Sequence, residues 1–354
     1  MISIGQGNLL RADVDALVNT VNTVGVMGKG IALQFKRAYP AMFRAYEDAV
    51  QAGEVKLGKV YVWDTNQMTG PRFIINFPTK KHWRARSRLT DIEAGLGDLI
   101  RVVRELGIKS IAVPPLGCGN GGLDWADVEP RIVKAFAALP EVDVLIYPPV
   151  GAPSAASMPT NEPLPPMTPG RAALIALLDS YSTQAEATAS LIESQKLMYF
   201  LQEAGEPLRL HYEKHLYGPY ADNLRHVLKV VEGHYIQGFG DGSRPVMAAE
   251  PLEVVPGAAN DARAVLNKHP ETERRIDRVL ELADGYETPY GLELLASVHW
   301  IANEDPQASS DVDLLVEEVR SWTPRKGRMF TEKHIRSAWE SLRNKGWMTE
   351  PASV

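Results

Sequence analysis

The chain has almost no cysteine: Cys118 stands alone among 354 residues. That excludes an intramolecular disulfide and a cysteine-built zinc site, and it suits a reducing cytoplasm. No apolar run approaches the roughly 18 residues that cross a bilayer, so no membrane partner is expected. The opening Met1-Ile-Ser-Ile-Gly-Gln-Gly has neither a basic region nor an apolar core, and a signal peptide is not expected. Internal repeats are missing. His, Cys and Asp nowhere fall at metal-ligand spacing, so neither a metal nor a cofactor is expected.

What is present is ordinary in amount and uneven in distribution. Hydrophobic residues make up 45%, enough for normal cores. The length argues for two domains. Residues 1–150 carry 18 Lys+Arg against 15 Asp+Glu, a net +3; residues 151–354 carry 20 against 29, a net −9. The first stretch alternates strand and helix signals. Strands are expected at Ile2–Ile4, Ala16–Asn19, Val60–Trp63, Phe73–Phe77, Ile111–Pro114 and Val142–Tyr147. Helices are expected over Ile31–Ala52 with an interruption at Pro40, over Asp91–Leu106 with Thr90 as N-cap, and over Asp124–Leu139. Such alternation implies a mostly parallel or mixed sheet covered on both faces.

From Pro148 the pattern breaks. Residues 151–170 are dense in Pro, Ser and Gly and read as a semi-rigid, extended linker. From Arg171 the signals are mainly helical, at Arg171–Ser180, Thr188–Ala204, Asp222–Val231, Thr272–Leu282 and Leu292–Ile301. The tail reads as helix Val312–Trp322, turn, helix Thr331–Leu342 and a short strand at Gly346-Trp-Met.

Two glycine loops carry the chemistry. The apolar run Ala16-Leu-Val-Asn-Thr-Val-Asn22 ends in paired asparagines, Asn19 and Asn22. Gly25, Met27, Gly28, Gly30 and Ile31 follow, leading into a helix. Glycines let backbone N–H groups approach a ligand, and the helix N-terminus favours an anion. A P-loop does not match, because it needs Gly at Thr23 and Ser or Thr at Gly30. The second loop, Pro114-Pro-Leu-Gly-Cys-Gly-Asn-Gly-Gly122, satisfies G-x-G-x-x-G at Gly117, Gly119 and Gly122. It sits in the last strand-turn-helix unit rather than the first, which argues against dinucleotide redox chemistry. A nest of backbone amides for an anion remains.

These segments resemble a macrodomain, the ADP-ribose-binding fold, over roughly residues 1–147. The variant Val-Gly-Val-Met-Gly-Lys-Gly-Ile-Ala-Leu-Gln-Phe35, with Asn76-Phe-Pro-Thr-Lys-Lys-His-Trp83, is similar to the DarG antitoxin family of DarTG toxin–antitoxin systems. The resemblance implies an α/β macrodomain at 1–150, a linker at 151–170 and a helical toxin-binding domain at 171–354. It implies removal of ADP-ribose from thymidine in single-stranded DNA, and binding of the cognate DarT toxin by residues 171–354. In that half Ser194-Gln-Lys-Leu-Met-Tyr-Phe200 and Leu216-Tyr-Gly-Pro-Tyr220 resemble helical antitoxin domains. The net −9 suits mimicry of DNA towards a DNA-modifying enzyme.

By the same resemblance Lys80 and Asn22 are catalytic, Asn22 holding the distal ribose. Asn8 and Leu9 lie at the adenine end, Asn8 standing where many macrodomains have Asp. Asn19, Gly25, Met27, Gly28, Gly30, Ile31 and Leu116, Gly117, Cys118, Gly119, Asn120, Gly121 line the substrate. In the related human enzyme an Asp of the second glycine loop pairs with the lysine. Here that position is Gly121, and Asp124 lies three residues on. Two roles for Lys80 follow: a neutral amine attacking the anomeric carbon, its charge disfavoured by Lys81, Arg84 and Arg86, or a cation stabilising the departing base. The cationic stretch with Lys81, Trp83, Arg84 and Arg86 reads as a DNA track, with Trp83 stacking on a base. The alternatives are a hydrolase of ADP-ribosylated protein carboxylates, and a non-catalytic ADP-ribose reader that binds a toxin or an operator.

Overall fold

The computed structural model describes residues 1–67 and 69–348 and comprises two compact units. The first is Met1–Pro163 together with Gly240–Arg244, and the second is the remainder from Leu164. Residues 349–354, part of the expected second domain, lie outside the described residues.

In the first unit, alternation along each strand sets the layers. The elements are β1 (Ile2–Ile4), β2 (Ala16–Asn22), α1 (Gly30–Ala38), α2 (Pro40–Gln51), β3 (Tyr61–Asp64) and β4 (Phe73–Lys80). After them come α3 (Leu89–Glu105), β5 (Ser110–Val113), α4 (Trp125–Phe136) and β6 (Asp143–Ile146). Ala16 and Val18 of β2 turn to the face covered by α3 and α4, where Ile92, Leu96, Val128 and Ile132 pack. Leu17 and Val21 turn to the opposite face, against Phe35, Met42 and Tyr46 of α1 and α2. The strand order is β1-β6-β5-β2-β4-β3, parallel except for β3 against β4. This is the mixed α/β sheet that the resemblance implies, and both glycine loops leave it at the C-terminal ends of parallel strands, where ligands of open α/β sheets bind.

Local corrections have local causes. Pro40 ends one helix and starts the next, because its ring is preorganised for the first helical position. Helix α3 starts at Leu89, so Thr90 lies inside the first turn; Arg88 takes the N-cap position with no side-chain cap. Strand β4 runs on through Pro78 to Lys80, which carries Lys80 to the strand's end. Residues 151–163, read as linker, fold onto the first unit. Ala155–Ser157 form a 3-10 turn with Ala155 buried, and Asn161 donates its N–H to Arg37 O and its Nδ2 to Ala38 O, each at 2.7 Å.

The second unit is mainly helical. Its elements are α5 (Pro169–Ala185), α6 (Leu191–Glu203), the hairpin β7 (Tyr212–His215) and β8 (Gly218–Ala221), and α7 (Asp222–Val231). Further helices are α8 (Ala258–Leu266), α9 (Pro270–Ala283), α10 (Pro289–Glu304), α11 (Pro306–Ser310), α12 (Val312–Ser321), α13 (Pro324–Met329) and α14 (Glu332–Asn344). A capping box between Ser190 and Glu193 starts α6 three residues later than the apolar pattern suggests. The stretch expected as a turn between the last two helices is α13. Gly346-Trp-Met is not a strand: Trp347 is buried edge-on to Phe200 and His299. Among the described residues no helix is long and apolar enough to cross a membrane, and no His, Cys, Asp and Glu group could hold a metal.

Candidate active site

The first glycine loop is held from below by Asn22. Its Oδ1 accepts from Val24 N at 3.0 Å and Val26 N at 3.3 Å, and its Nδ2 donates to Val26 O at 2.5 Å. The amide therefore wraps residues 23–26 into a tight turn, with Gly25 at φ +79°. Tyr46 donates its hydroxyl to the Asn22 carbonyl. Asn19 lies deeper: it is 0% exposed and donates to Asn76 Oδ1 at 2.9 Å. Its Nδ2 also lies 3.7 Å from the sulfur of Met27, itself buried. Asn19 and Met27 thus sit beneath the loop as supports, while Gly28, Gly30 and Ile31 remain accessible at its surface.

The second loop needs two of its glycines, Gly117 and Gly121, for space. A Cβ on Gly121 would fall 2.3 Å from both Gly117 O and Ser87 Oγ, and one on Gly117 would meet Leu123 and Ser87 within 3.0 Å. Ser87 N donates to Gly121 O at 3.0 Å, and Leu123 N donates to Gly117 O at 3.1 Å. Gly119 and Asn120 are exposed at the tip, Cys118 is half-buried and Leu116 is fully buried. Burial pushes the Cys118 thiol up to about 11, which leaves no thiolate at neutral pH.

Lys80 bridges to this second loop. Its Nζ donates to Asn120 O at 2.7 Å. The close packing around Gly121 excludes a carboxylate at that position, and Asp124 caps α4 through Ala126 N at 3.0 Å. Among the described residues Lys80 forms no ion pair with a carboxylate. Its pKa is lowered, and the cause is burial; Lys81, Arg84 and Arg86 do not supply it. A half-buried amine on a neutral carbonyl of a glycine loop suits a bond whose cleavage releases negative charge.

The loop after β4 adds a cationic aromatic rim. Thr23 donates its N–H and its hydroxyl to Lys81 O at 3.1 and 3.0 Å, which ties this loop to the first glycine loop. Trp83 is 44% exposed; His82 stacks on it at 5.2 Å and the Arg84 guanidinium lies 4.4 Å over the ring. Lys81 and Arg86 are exposed. At the far end, Asn8 is nearly buried: Oδ1 accepts from Leu10 N and Nδ2 donates to Ser157 O, both at 2.9 Å. Leu9 is in the core. The contact of Asn8 with Ser157 was not foreseeable, since 149 residues separate the two.

A macro domain model matches residues 18–132. A DNA ADP-ribosyl glycohydrolase from Mycobacterium tuberculosis is 49% identical over 97% of this chain and 99% of that protein. One of the same description from Thermus aquaticus is 46% identical over 100% of this chain and 98% of that protein. A DNA ADP-ribosyl transferase–DNA ADP-ribosyl glycohydrolase fusion protein from Thermosipho africanus is 35% identical over 42% of each. Similarity at that level over nearly the full length of both chains settles the family: this chain belongs to the DNA ADP-ribosyl glycohydrolases, the DarG family of macrodomain proteins.

Proposed function

We propose that the first unit removes ADP-ribose from thymidine in single-stranded DNA and that residues 171–354 bind and block a DarT-type ADP-ribosyltransferase, which makes the chain an antitoxin of the cytoplasm. The observation that carries the enzymatic part is Lys80, half-buried, with Nζ 2.7 Å from Asn120 O between the two glycine loops. The backbone around Gly28, Gly30 and Ile31 and from Gly117 to Gly121 cradles the diphosphate; the N–H of Gly30 goes to Asp241 O and that of Cys118 to Pro115 O, so the neighbouring amides of these stretches do the binding. The turn shaped by Asn22 receives the distal ribose, and Asn8 and Leu9 mark the adenine end.

In this reading the glycosidic bond breaks with its electron pair leaving on the thymine. The Lys80 ammonium lies where that charge grows and donates the proton the base needs, while water adds to the anomeric carbon. The rim of Lys81, Trp83, Arg84 and Arg86 holds the strand by phosphate contacts and base stacking. A hydrolase of modified carboxylates has no use for such a rim. A second reading is favoured by the burial of Lys80 and its lowered pKa: the neutral amine attacks the anomeric carbon and displaces the thymine, which leaves with the bonding pair and takes up a proton; the ribose ring opens to an imine, and water hydrolyses the imine to free ADP-ribose and the amine. Cyanoborohydride trapping during turnover decides between them, since only the imine leaves a stable adduct on Lys80.

The toxin-binding part is supported by the acidic second half, −9 over residues 151–354, and by the Thermosipho africanus protein, whose name joins a transferase to a glycohydrolase in one chain. Calorimetric titration of the full chain with a DarT-type transferase, and separately with duplex DNA, tests it. Binding of the transferase alone supports the antitoxin role; binding of duplex alone would favour an operator-binding reader.

A further inference from the structure

Helix α1, whose first residue Gly30 belongs to the proposed diphosphate cradle, does not cap itself. Lys29 holds the N-cap position and its side chain caps nothing. The cap comes from residues 240–244, which are distant in sequence and part of the first unit. Asp241 O accepts from Gly30 N at 3.4 Å, and Asp241 Oδ2 accepts from Gln34 Nε2 at 2.7 Å. Arg37 donates to Gly240 O at 2.9 Å. Gly30, Gln34 and Arg37 lie at i, i+4 and i+7, so one face of α1 is gripped along its length.

The grip is built rather than incidental. Asp241 is 2% exposed, and its second oxygen accepts from Ser243 N at 2.9 Å, which closes the loop on itself. Arg244 donates to Ala152 O at 3.0 Å and Pro153 O at 3.2 Å, so the loop is anchored at both ends. A buried carboxylate beside the first turn of a helix complements its positive end. Gly30 has φ +63°, and a Cβ there would lie 3.5 Å from Asn120 Nδ2, so the two glycine loops approach each other at this residue. Fixing Gly30 therefore fixes the spacing of the two nests.

We propose that Asp241 is a positioning residue of the diphosphate cradle, acting through Gln34 and Gly30 to set the N-terminus of α1 against the second glycine loop. This rests on the ADP-ribose reading of the site. It predicts that ground-state binding, not the chemical step, depends on Asp241.

The test is calorimetric titration of the full chain with ADP-ribose, with turnover of modified single-stranded DNA measured in parallel. Asp241→Ala is expected to raise Kd and KM roughly tenfold with kcat unchanged at saturation. Gln34→Ala, which leaves the loop 240–244 intact, gives the same shift. The double variant adds nothing further, because the two groups act as one unit. Asp241→Asn, which keeps an acceptor for Gln34, falls between Asp241→Ala and the unsubstituted chain. Normal affinity in both Asp241→Ala and Gln34→Ala overturns the proposal, and tighter binding overturns it in favour of a loop that competes with the diphosphate. If the unsubstituted chain binds no ADP-ribose, the functional reading itself fails and the proposal with it.

Discussion

Two regions of the molecule hold lysines away from water, and they do so for different ends. In the first unit Lys80 sits at the end of a strand, half-buried, with the backbone carbonyl of Asn120 in the second glycine loop as its hydrogen-bond partner. In the second unit Lys196 and Lys326 are almost wholly buried. Lys326 donates to Glu293 Oε1 at 2.5 Å and Ser297 Oγ at 2.9 Å, and Arg325 grips the same carboxylate at 2.7 and 3.1 Å. Lys196 donates to Pro219 O at 2.6 Å, beneath the β7–β8 hairpin. Burial pushes Lys196 down to about 7, yet its side chain is enclosed by the fold, only 1% exposed. A displaced pKa marks a functional residue only where geometry leaves it something to act on.

The largest effect that sharpens this contrast is at Lys326. Lys326→Met leaves Glu293 with Arg325 alone and is expected to destabilise the second unit by roughly 3 kcal/mol, read by denaturant unfolding. Catalysis per folded molecule is unaffected. An activity loss matching that of a Lys80 variant would break the comparison. Gly121→Asp comes next. Restoring an acid to the second loop forces a Cβ into Gly117 O and Ser87 Oγ, so ADP-ribose affinity falls and activity is not gained.

Trp83→Ala is expected to weaken binding of single-stranded DNA by about 1–3 kcal/mol while free ADP-ribose binds as before. Equal losses on both ligands would remove the rim from the DNA track. The smallest effect concerns pH. Lys196 has a folded pKa below its unfolded one, so between about 7 and 10.5 the unfolded chain holds the extra proton and stability rises with pH. Lys326, lowered to about 8 chiefly by burial, adds a slope of the same sign above that pH, so Lys196→Met reduces the slope from pH 7 upward and leaves the part that belongs to Lys326. Melting curves from pH 7 to 9 check it, and an unchanged slope would show that Lys196 is not the group responsible.

Much of the site was legible because it is local. The alternation of β2, the glycines of both loops and the cations after β4 lie within short windows, and backbone physics dictates their use. Lys80 follows a strand exit that the local pattern marks, whereas its partner Asn120 lies 40 residues on. The distinction between Asn19 and Asn22 was harder. Three residues apart on a strand they point to opposite faces, but a register shift between Val21 and Asn22 at the strand's end decides which one reaches the loop. Illegible were the contacts made at long range: Ser157 on Asn8, Asp241 on Gln34 and Ser87 under Gly121. None of these residues carries a motif, and each acquires its role only when the chain returns to a place already built. The hairpin Tyr212–Ala221 is illegible for a related reason, since its two strands are four residues each, the first is mostly exposed and the second opens on Gly218-Pro219.

In the proposed function Lys80 performs the chemistry and the glycine loops perform the binding. The direct measurement is single-turnover release of ADP-ribose from thymidine-modified single-stranded DNA by Lys80→Ala, beside a titration with free ADP-ribose. The account predicts a loss of at least about 10²-fold in release with ADP-ribose binding retained. Release at the unsubstituted rate would contradict it.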